Sequence, residues 1–302
     1  VSRAADAAAA LAAGRLVILP TETVYGLAAD AANPAAVVAL YEAKGRPSFN
    51  PLIAHVFDLA AARAIADLDS RAVALAEAFW PGPLTLVAPS KGGVSDLARA
   101  GLDTVAVRAP AHPLARAVLE AFGGPVAAPS ANRSGRPSPT TFADAVAETG
   151  GAAAVALDGG PCAVGLESTV ISLLDGPPRL LRPGAVTRAE IEALIGPLAE
   201  AEADARRSPG RLARHYAPAA PLRLEATEAQ PGEAFIGFDA IGPADLNLSP
   251  AGDLTEAAAR LFSYLRAADA RSPAAIAVAP IPREGLGEAI NDRLRRASGL
   301  VG

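Results

Sequence analysis

Leu16-Val-Ile-Leu-Pro-Thr-Glu-Thr-Val-Tyr-Gly-Leu27 is the most informative stretch of this 302-residue chain. The apolar run 16–19 reads as a buried strand. Thr21, Glu22 and Thr23 follow at its end, and Gly26 comes next. Open α/β sheets bind ligands beyond the carboxyl ends of their strands, so the placement predicts a site. About 20 residues on, a gap one helix can span, stands Lys44-Gly-Arg-Pro47, backed by Asn50-Pro-Leu-Ile-Ala-His55. Two cations around a Gly turn predict an anion near those hydroxyls.

Working outward, strand-like and helix-like segments alternate up to about residue 196. Strands are expected at 16–19, 51–56, 84–88, 104–107, 126–128 and 153–157, and helices at 34–43, 71–79, 113–122, 142–148 and 188–195. Thr187 with Glu190 has the spacing of a capping box. Segments 168–174 and 179–181, joined by Asp175-Gly-Pro-Pro178, read as a hairpin. The fold class is therefore α/β with a mixed sheet. A charged stretch from Glu200 to Arg211 is the linker candidate. A smaller α/β unit follows, with strands near 222–224, 235–238 and 275–278 and helices near 255–268 and 286–297.

Composition narrows the function classes. Apolar residues are 51% and aromatics 4%, so Ala, Val, Leu and Ile must build the core. A net charge of −5 gives no global attraction to nucleic acid, which would need a local basic patch. Cys162 is the only cysteine, which excludes an internal disulfide framework and a Cys-cluster metal site and fits a reducing cytoplasm. With no base nearby in sequence, it reads as a packing residue. No apolar run approaches the ~20 residues of a membrane span. The Ala-rich opening 1–14 carries an Arg and an Asp and reads as a short helix ended by Gly14 rather than as a leader.

Familiar signatures are missing: there is no Walker A pattern, Gly-rich dinucleotide fingerprint, His-Glu-x-x-His or Gly-x-Ser-x-Gly. His55, His112 and His215 are far apart in sequence, and a lone histidine is more often structural than a ligand. Four polar clusters remain. Lys44-Gly-Arg46 suits phosphate oxygens, although cations at a helix end also answer its dipole. Ser130-Ala-Asn-Arg-Ser-Gly-Arg-Pro-Ser138 can wrap phosphates or a ribose, but is also ordinary turn chemistry. Gly165-Leu-Glu-Ser-Thr169 enters a strand, and Arg182-Pro-Gly184 ends the hairpin. Arg108, at another strand end, joins them. Their shared position favours one anionic small-molecule site.

These motifs, with Phe79-Trp-Pro-Gly-Pro-Leu-Thr85, Arg108-Ala-Pro110, Ala128-Pro-Ser-Ala-Asn132 and Glu167-Ser-Thr-Val170, resemble the YrdC-like family in content, order and spacing. Ser208-Pro-Gly-Arg-Leu-Ala-Arg-His-Tyr-Ala-Pro218 and Gly285-Leu-Gly-Glu-Ala-Ile-Asn-Asp-Arg-Leu294 resemble its two-domain form. The resemblance implies a twisted mixed-sheet catalytic domain at 1–199, a linker and lid at 200–220, and a small Rossmann-like domain at 221–302. It implies a nucleotidyltransferase that makes threonylcarbamoyl-adenylate from L-threonine, bicarbonate and ATP, for modification of tRNA. Thr23, His55, Arg108, Ala128 and Ser168 would hold threonine. Lys44, Arg46, Asn50, Thr104, Ser130, Asn132, Ser138 and Arg182 would hold ATP, with His215 and Tyr216 closing over it. Lys44, Arg46 and Arg108 would act on the reacting groups. Mg²⁺ would come with ATP, and tRNA or a downstream transferase would be a further contact.

Two other readings compete. An RNA-binding module would show binding that falls steeply with salt. A different carbamoyl-transfer enzyme would prefer carbamoyl phosphate to bicarbonate.

Overall fold

The computed structural model describes residues 2–47, 49–174, 176–200, 215–241 and 246–300. The sequence motif from Ser208 therefore lies outside the described residues as far as residue 214. The strands are β1 (Leu16–Leu19), β2 (Gly26–Asp30), β3 (Ile53–His55), β4 (Leu84–Pro89), β5 (Thr104–Arg108), β6 (Val126–Ala127), β7 (Ala153–Ala156), β8 (Thr169–Ser172), β9 (Arg179–Arg182) and β10 (Ala199–Glu200). Among the described residues these ten form one sheet in the order β10-β9-β8-β4-β5-β3-β6-β2-β1-β7. It is mixed as expected: β3 runs parallel to β5, while β4 runs antiparallel to β5 and β8 antiparallel to β9. Glu200, assigned to the linker from sequence, pairs with Leu180 as a sheet residue.

Local chemistry sets the helix ends. Asn33 accepts from the Ala35 and Ala36 N–H groups, Pro34 takes the first turn of α2 (Pro34–Lys44), and Gly45 ends it in the left-handed region. That stop turns Arg46 away from the helix axis. Thr187 and Glu190 form the predicted capping box of α7 (Arg188–Ile195). Helices α1 (Ser2–Ala12) and α5 (Pro113–Phe122) pack together, and their core, including Leu11, Val118 and Leu119, continues into Val17, Leu19 and Ala28 of β1 and β2. Leu16, Ile18 and Leu27 face the opposite core with Leu40, Leu75 and Leu86. The remaining helices here are α3 (Leu59–Ile65), α4 (Ser70–Phe79) and α6 (Phe142–Thr149).

A second sheet, β11 (Leu222–Arg223), β13 (Ala275–Val278) and β12 (Glu233–Ile236) in that order, is parallel and carries α8 (Leu254–Asp269) and α9 (Leu286–Ser298). Its core takes in Val24 and Leu166 from the first unit. Arg266 of α8 donates to Glu148 (2.9 Å) and to the Pro137 carbonyl, while Asp269 accepts from the Ala219 and Ala220 N–H groups.

Gly165 is the tightest joint. Its φ is +75°, and a Cβ there would lie 2.4 Å from Ala259 Cα and 2.6 Å from the Ala258 carbonyl on α8. Gly165→Ala is expected to cost about 2–4 kcal/mol through backbone strain and overpacking, read by urea unfolding. Gly151→Ala is the control, since nothing lies within 4 Å of its Cβ position.

Candidate active site

The pocket opens where the ends of β3, β5, β6 and β9 meet the entry to β8. Thr23, Arg46, His55, Arg108, Ala128, Ser130, Ser168, Arg182, His215 and Tyr216 all line it. Strand register puts His55 opposite both Arg108 and Val126, and Val170 opposite Arg182. Gly26 lets β2 approach closely, since a Cβ there would lie 3.1 Å from Ala128 Cβ.

Arg108 is buried and its donors are well defined. Nε–H donates to the Gly82 carbonyl at 3.1 Å, Nη1 to Thr23 Oγ1 at 2.9 Å and Nη2 to Glu22. The second Glu22 oxygen accepts the Ala111 N–H at 3.0 Å. Burial alone would raise the Glu22 pKa, but Arg108 and these hydrogen bonds hold it below the ordinary carboxylate range. A guanidinium has five N–H donors, so one on each terminal nitrogen is left for a ligand.

Thr23 is more constrained than its sequence position revealed. Thr21 Oγ1 gives its single proton to the Val24 carbonyl at 2.6 Å. In the 2.8 Å contact between the two hydroxyls, Thr23 must therefore be the donor. Having used its proton there and accepted from Arg108, Thr23 Oγ1 can offer a ligand only an acceptor. It fits an amine or a hydroxyl, not a carboxylate.

On the other side, Arg182 Nε and Nη2 hold the Ser168 carbonyl at 3.1 and 2.9 Å, and Nη2 also reaches Ser168 Oγ at 3.1 Å. Arg46 donates to the Pro51 carbonyl at 3.2 Å, while its buried Nε has no partner. His215 Nδ1 is likewise buried and unpartnered. The His215 ring stands edge-on to Tyr216 at 4.0 Å, and Tyr216 adopts a φ of +64°. Two polar atoms left unmade at one pocket are what a ligand would satisfy.

Several expected residues stand behind this surface. Lys44 is 2% exposed, and its ammonium binds the Ser130 and Asn132 carbonyls, so it anchors the 130–138 loop instead of lining the pocket. Asn132 ties the same loop through the Arg133 and Arg136 carbonyls, leaving Oδ1 unpartnered. Ser138 donates to Glu167. Asn50 contributes its backbone carbonyl to Tyr41 at 3.0 Å. Thr104 is not brought in. It begins β5, roughly 13 Å along the strand from Arg108, and lines a separate cavity with Asp67, Asp69 and Arg71.

Other polar residues serve the frame. His112 caps α5 through Nδ1 and donates Nε2–H to Gly159. Tyr25 donates to the Gly160 carbonyl at 2.6 Å. Burial pushes the Cys162 thiol up to about 12, so it is no nucleophile at neutral pH. The sequence reading left two residues without a role. Glu167 lines the pocket, and Arg293, from the second unit, holds it at 2.8 Å.

Burial, then Arg108, pushes His55 down to about 3; burial, then the cations Arg46, Lys44 and Arg182, does the same to His215. Both are neutral when folded but bind a proton below pH 6.5 when unfolded. Stability should therefore fall as pH drops from 6.5 to about 5, by up to about 1.4 kcal/mol per pH unit per histidine. The carboxylates with lowered pKa titrate below this window. His55→Gln should remove about half of the slope in urea unfolding; an unchanged slope would show that His55 is not buried neutral.

Two family models cover nearly all of the chain. The Sua5–YciO–YrdC model, described as telomere recombination, matches residues 9–184, and the threonylcarbamoyl-AMP synthase C-terminal domain matches 186–299. The threonylcarbamoyl-AMP synthase of Bacillus subtilis is 41% identical, covering 98% of this chain and 92% of the relative. The crystal structure of P. abyssi Sua5 complexed with L-threonine superimposes with a TM-score of 0.91 at 38% identity, over 98% of this chain and 94% of that one. A variant of that protein with an adjacent His and Tyr changed to Ala gives 0.88 at 37% identity, over 98% and 92%. On this agreement in sequence and fold along both units, the chain belongs to the two-domain threonylcarbamoyl-AMP synthase family.

Proposed function

We propose that this protein joins L-threonine, bicarbonate and ATP into L-threonylcarbamoyl-AMP, releasing pyrophosphate and water, as a cytoplasmic step toward threonylcarbamoyladenosine in tRNA. The observation that carries this reading is the division of the pocket. One end has a paired guanidinium with two open N–H donors beside a pure acceptor, which suits an amino acid. The other has Arg46, Arg182 and an unpartnered His215, which suits a nucleotide.

In this reading the threonine carboxylate takes the two open Arg108 donors as a bidentate pair. Thr23 Oγ1 accepts from the threonine amine or hydroxyl, and His55, Ala128 and Ser168 complete that half. The amine adds to the carbon of bicarbonate or carbon dioxide to give a carbamate, and a carbamate oxygen attacks the α-phosphorus. No protein nucleophile is needed, so positioning and charge carry the step. Arg46, Ser130 and Arg182 meet the phosphates. Lys44, Asn132 and Ser138 hold the loop that presents Ser130, and Asn50 supports Arg46 through its carbonyl. His215 and Tyr216 cover the nucleotide and exclude water from a hydrolysable adenylate. This assigns catalysis to 1–199, cover to 200–220 and support to 221–302.

Glu22 is committed to Arg108 and Ala111, and Glu167 to Arg293 and Ser138. The lining therefore does not fit a protein-bound divalent cation, and Mg²⁺ would arrive on the triphosphate, neutralising the leaving pyrophosphate.

Purified protein should release pyrophosphate from ATP only with both threonine and bicarbonate present; turnover unchanged without threonine would refute the assignment. Preference for carbamoyl phosphate, or salt-sensitive RNA binding without turnover, would favour the competing readings. Arg108→Ala should cost about 2–5 kcal/mol in kcat/KM for threonine, since it removes the carboxylate partner and strands Glu22. Wild-type kinetics would remove Arg108 from the site.

A further inference from the structure

Arg293 lies on α9 in the second unit, is fully buried, and directs its side chain into the wall of a pocket built mainly by the first. Its Nε donates to Glu167 Oε2 at 2.8 Å, and its Nη2 to the Pro183 carbonyl at 3.1 Å. Its Nη1 donates to Asp292 at 2.7 Å, and its guanidinium carbon lies 5.3 Å from the Tyr216 ring centre. Asp292 also holds Arg296, whose carbonyl accepts the His215 N–H at 3.3 Å. Three pieces of pocket lining thus converge on one helix turn: Glu167-Ser168, Arg182 through its neighbour Pro183, and His215-Tyr216. They have little room to drift independently. A Cβ on Gly184 would lie 2.4 Å from the Thr169 nitrogen and 2.6 Å from the Glu167 carbonyl.

We propose that Arg293 is a positioning residue for the nucleotide half of the active site, so that the second unit completes the site through one buried guanidinium. The proposal rests on the functional reading above. It assigns Arg293 no contact with substrate. Glu167 takes its place from Arg293 and Ser138, and the Ser168 carbonyl, one residue on, is bound by Arg182. A shift of Arg293 therefore reaches Arg182 and the aromatic cover, while the threonine half has anchors of its own: Ser168 Oγ is bonded to Thr85 Oγ1 at 2.7 Å, and Arg108 and Thr23 are held by Glu22, Gly82 and Thr21.

Simple domain glue predicts lost stability and an equal loss for both substrates. Positioning predicts a split. A pH signature separates the two further. Glu167 is faced by Arg293 from α9, Arg182 from β9, Ser138 from the loop, and His215 with Tyr216 from the cover, and Asp292 stands behind Arg293 as its second carboxylate partner. Burial opposes its charge, and Arg293 is the leading group that keeps it ionised. Without Arg293, its carboxyl would gain a proton at higher pH.

The test uses full-length Arg293→Lys, which keeps the charge but loses the fork, and Arg293→Met, with circular dichroism to establish folding. Pyrophosphate release gives both KM values and the pH profile, and calorimetry gives affinity for a non-hydrolysable ATP analogue. Both variants should raise the KM for ATP and weaken analogue binding by about tenfold or more, leaving the KM for threonine within about threefold. Arg293→Met should move the acid limb of kcat/KM for ATP to higher pH, and Arg293→Lys should move it less. If Arg293→Met does not fold, the KM split and analogue affinity of Arg293→Lys decide. Folded variants with wild-type ATP affinity, or with both KM values raised alike, would overturn the proposal. A wild type inactive with threonine and bicarbonate would overturn the functional reading instead, and analogue binding would still report on Arg293.

Discussion

The desolvation of positive charge around one pocket governs this structure. Lys44, Arg108 and Arg182 are buried there and Arg46 is half-buried with its Nε enclosed, and desolvation pulls Lys44, Arg46 and Arg182 below their ordinary pKa ranges, Arg46 to about 10. A buried cation must be paired or hydrogen-bonded, or it will unfold its surroundings. Each of these has a distinct answer. Arg108 has Glu22, Lys44 has two loop carbonyls, and Arg182 has the Ser168 carbonyl and hydroxyl. Arg46 is the least satisfied, with carbonyl contacts on one nitrogen and an unpartnered Nε. The residual positive field therefore sits beside Arg46, Arg182 and His215, where an anionic ligand completes it.

The same constraint explains why two units share one site. Glu167 supplies negative charge among these cations, and a buried carboxylate needs a firm partner of its own. That partner comes from α9. The chain therefore closes its larger sheet onto the smaller one at the point where charge balance is most demanding. Gly165 and the apolar residues Val24 and Leu166 then make the contact close enough for Arg293 to reach.

Much of the fold was legible in the sequence because its signals were local. Leu16–Leu19 and Ala275–Val278 are strands at the expected residues, and α5 and α7 have the expected ends, set by Pro113 with Gly123 and by the Thr187 box. β2 was missed because Gly-Leu-Ala-Ala-Asp lacks β-branched residues and owes its extended form to its neighbours. α3 was missed because seven residues in an Ala-rich run give too little periodicity.

The site was legible as a set of strand-end motifs, but not in depth. Sequence adjacency cannot tell a pocket-facing ammonium from one buried behind a loop, as with Lys44. Nor can it tell the two ends of β5 apart, which separates Thr104 from Arg108. The link from Arg293 to Glu167 joins residues 126 positions apart and left no local trace.

The central claim is that the amino acid and the nucleotide occupy opposite ends of this pocket. A crystal structure with L-threonine and a non-hydrolysable ATP analogue tests it most directly. The account predicts the threonine carboxylate on the open Arg108 donors and a donor group on Thr23 Oγ1. It predicts phosphate oxygens against Arg46 and Arg182, with His215 and Tyr216 over the nucleotide. Phosphates on Arg108, or threonine bound away from Thr23, would contradict it.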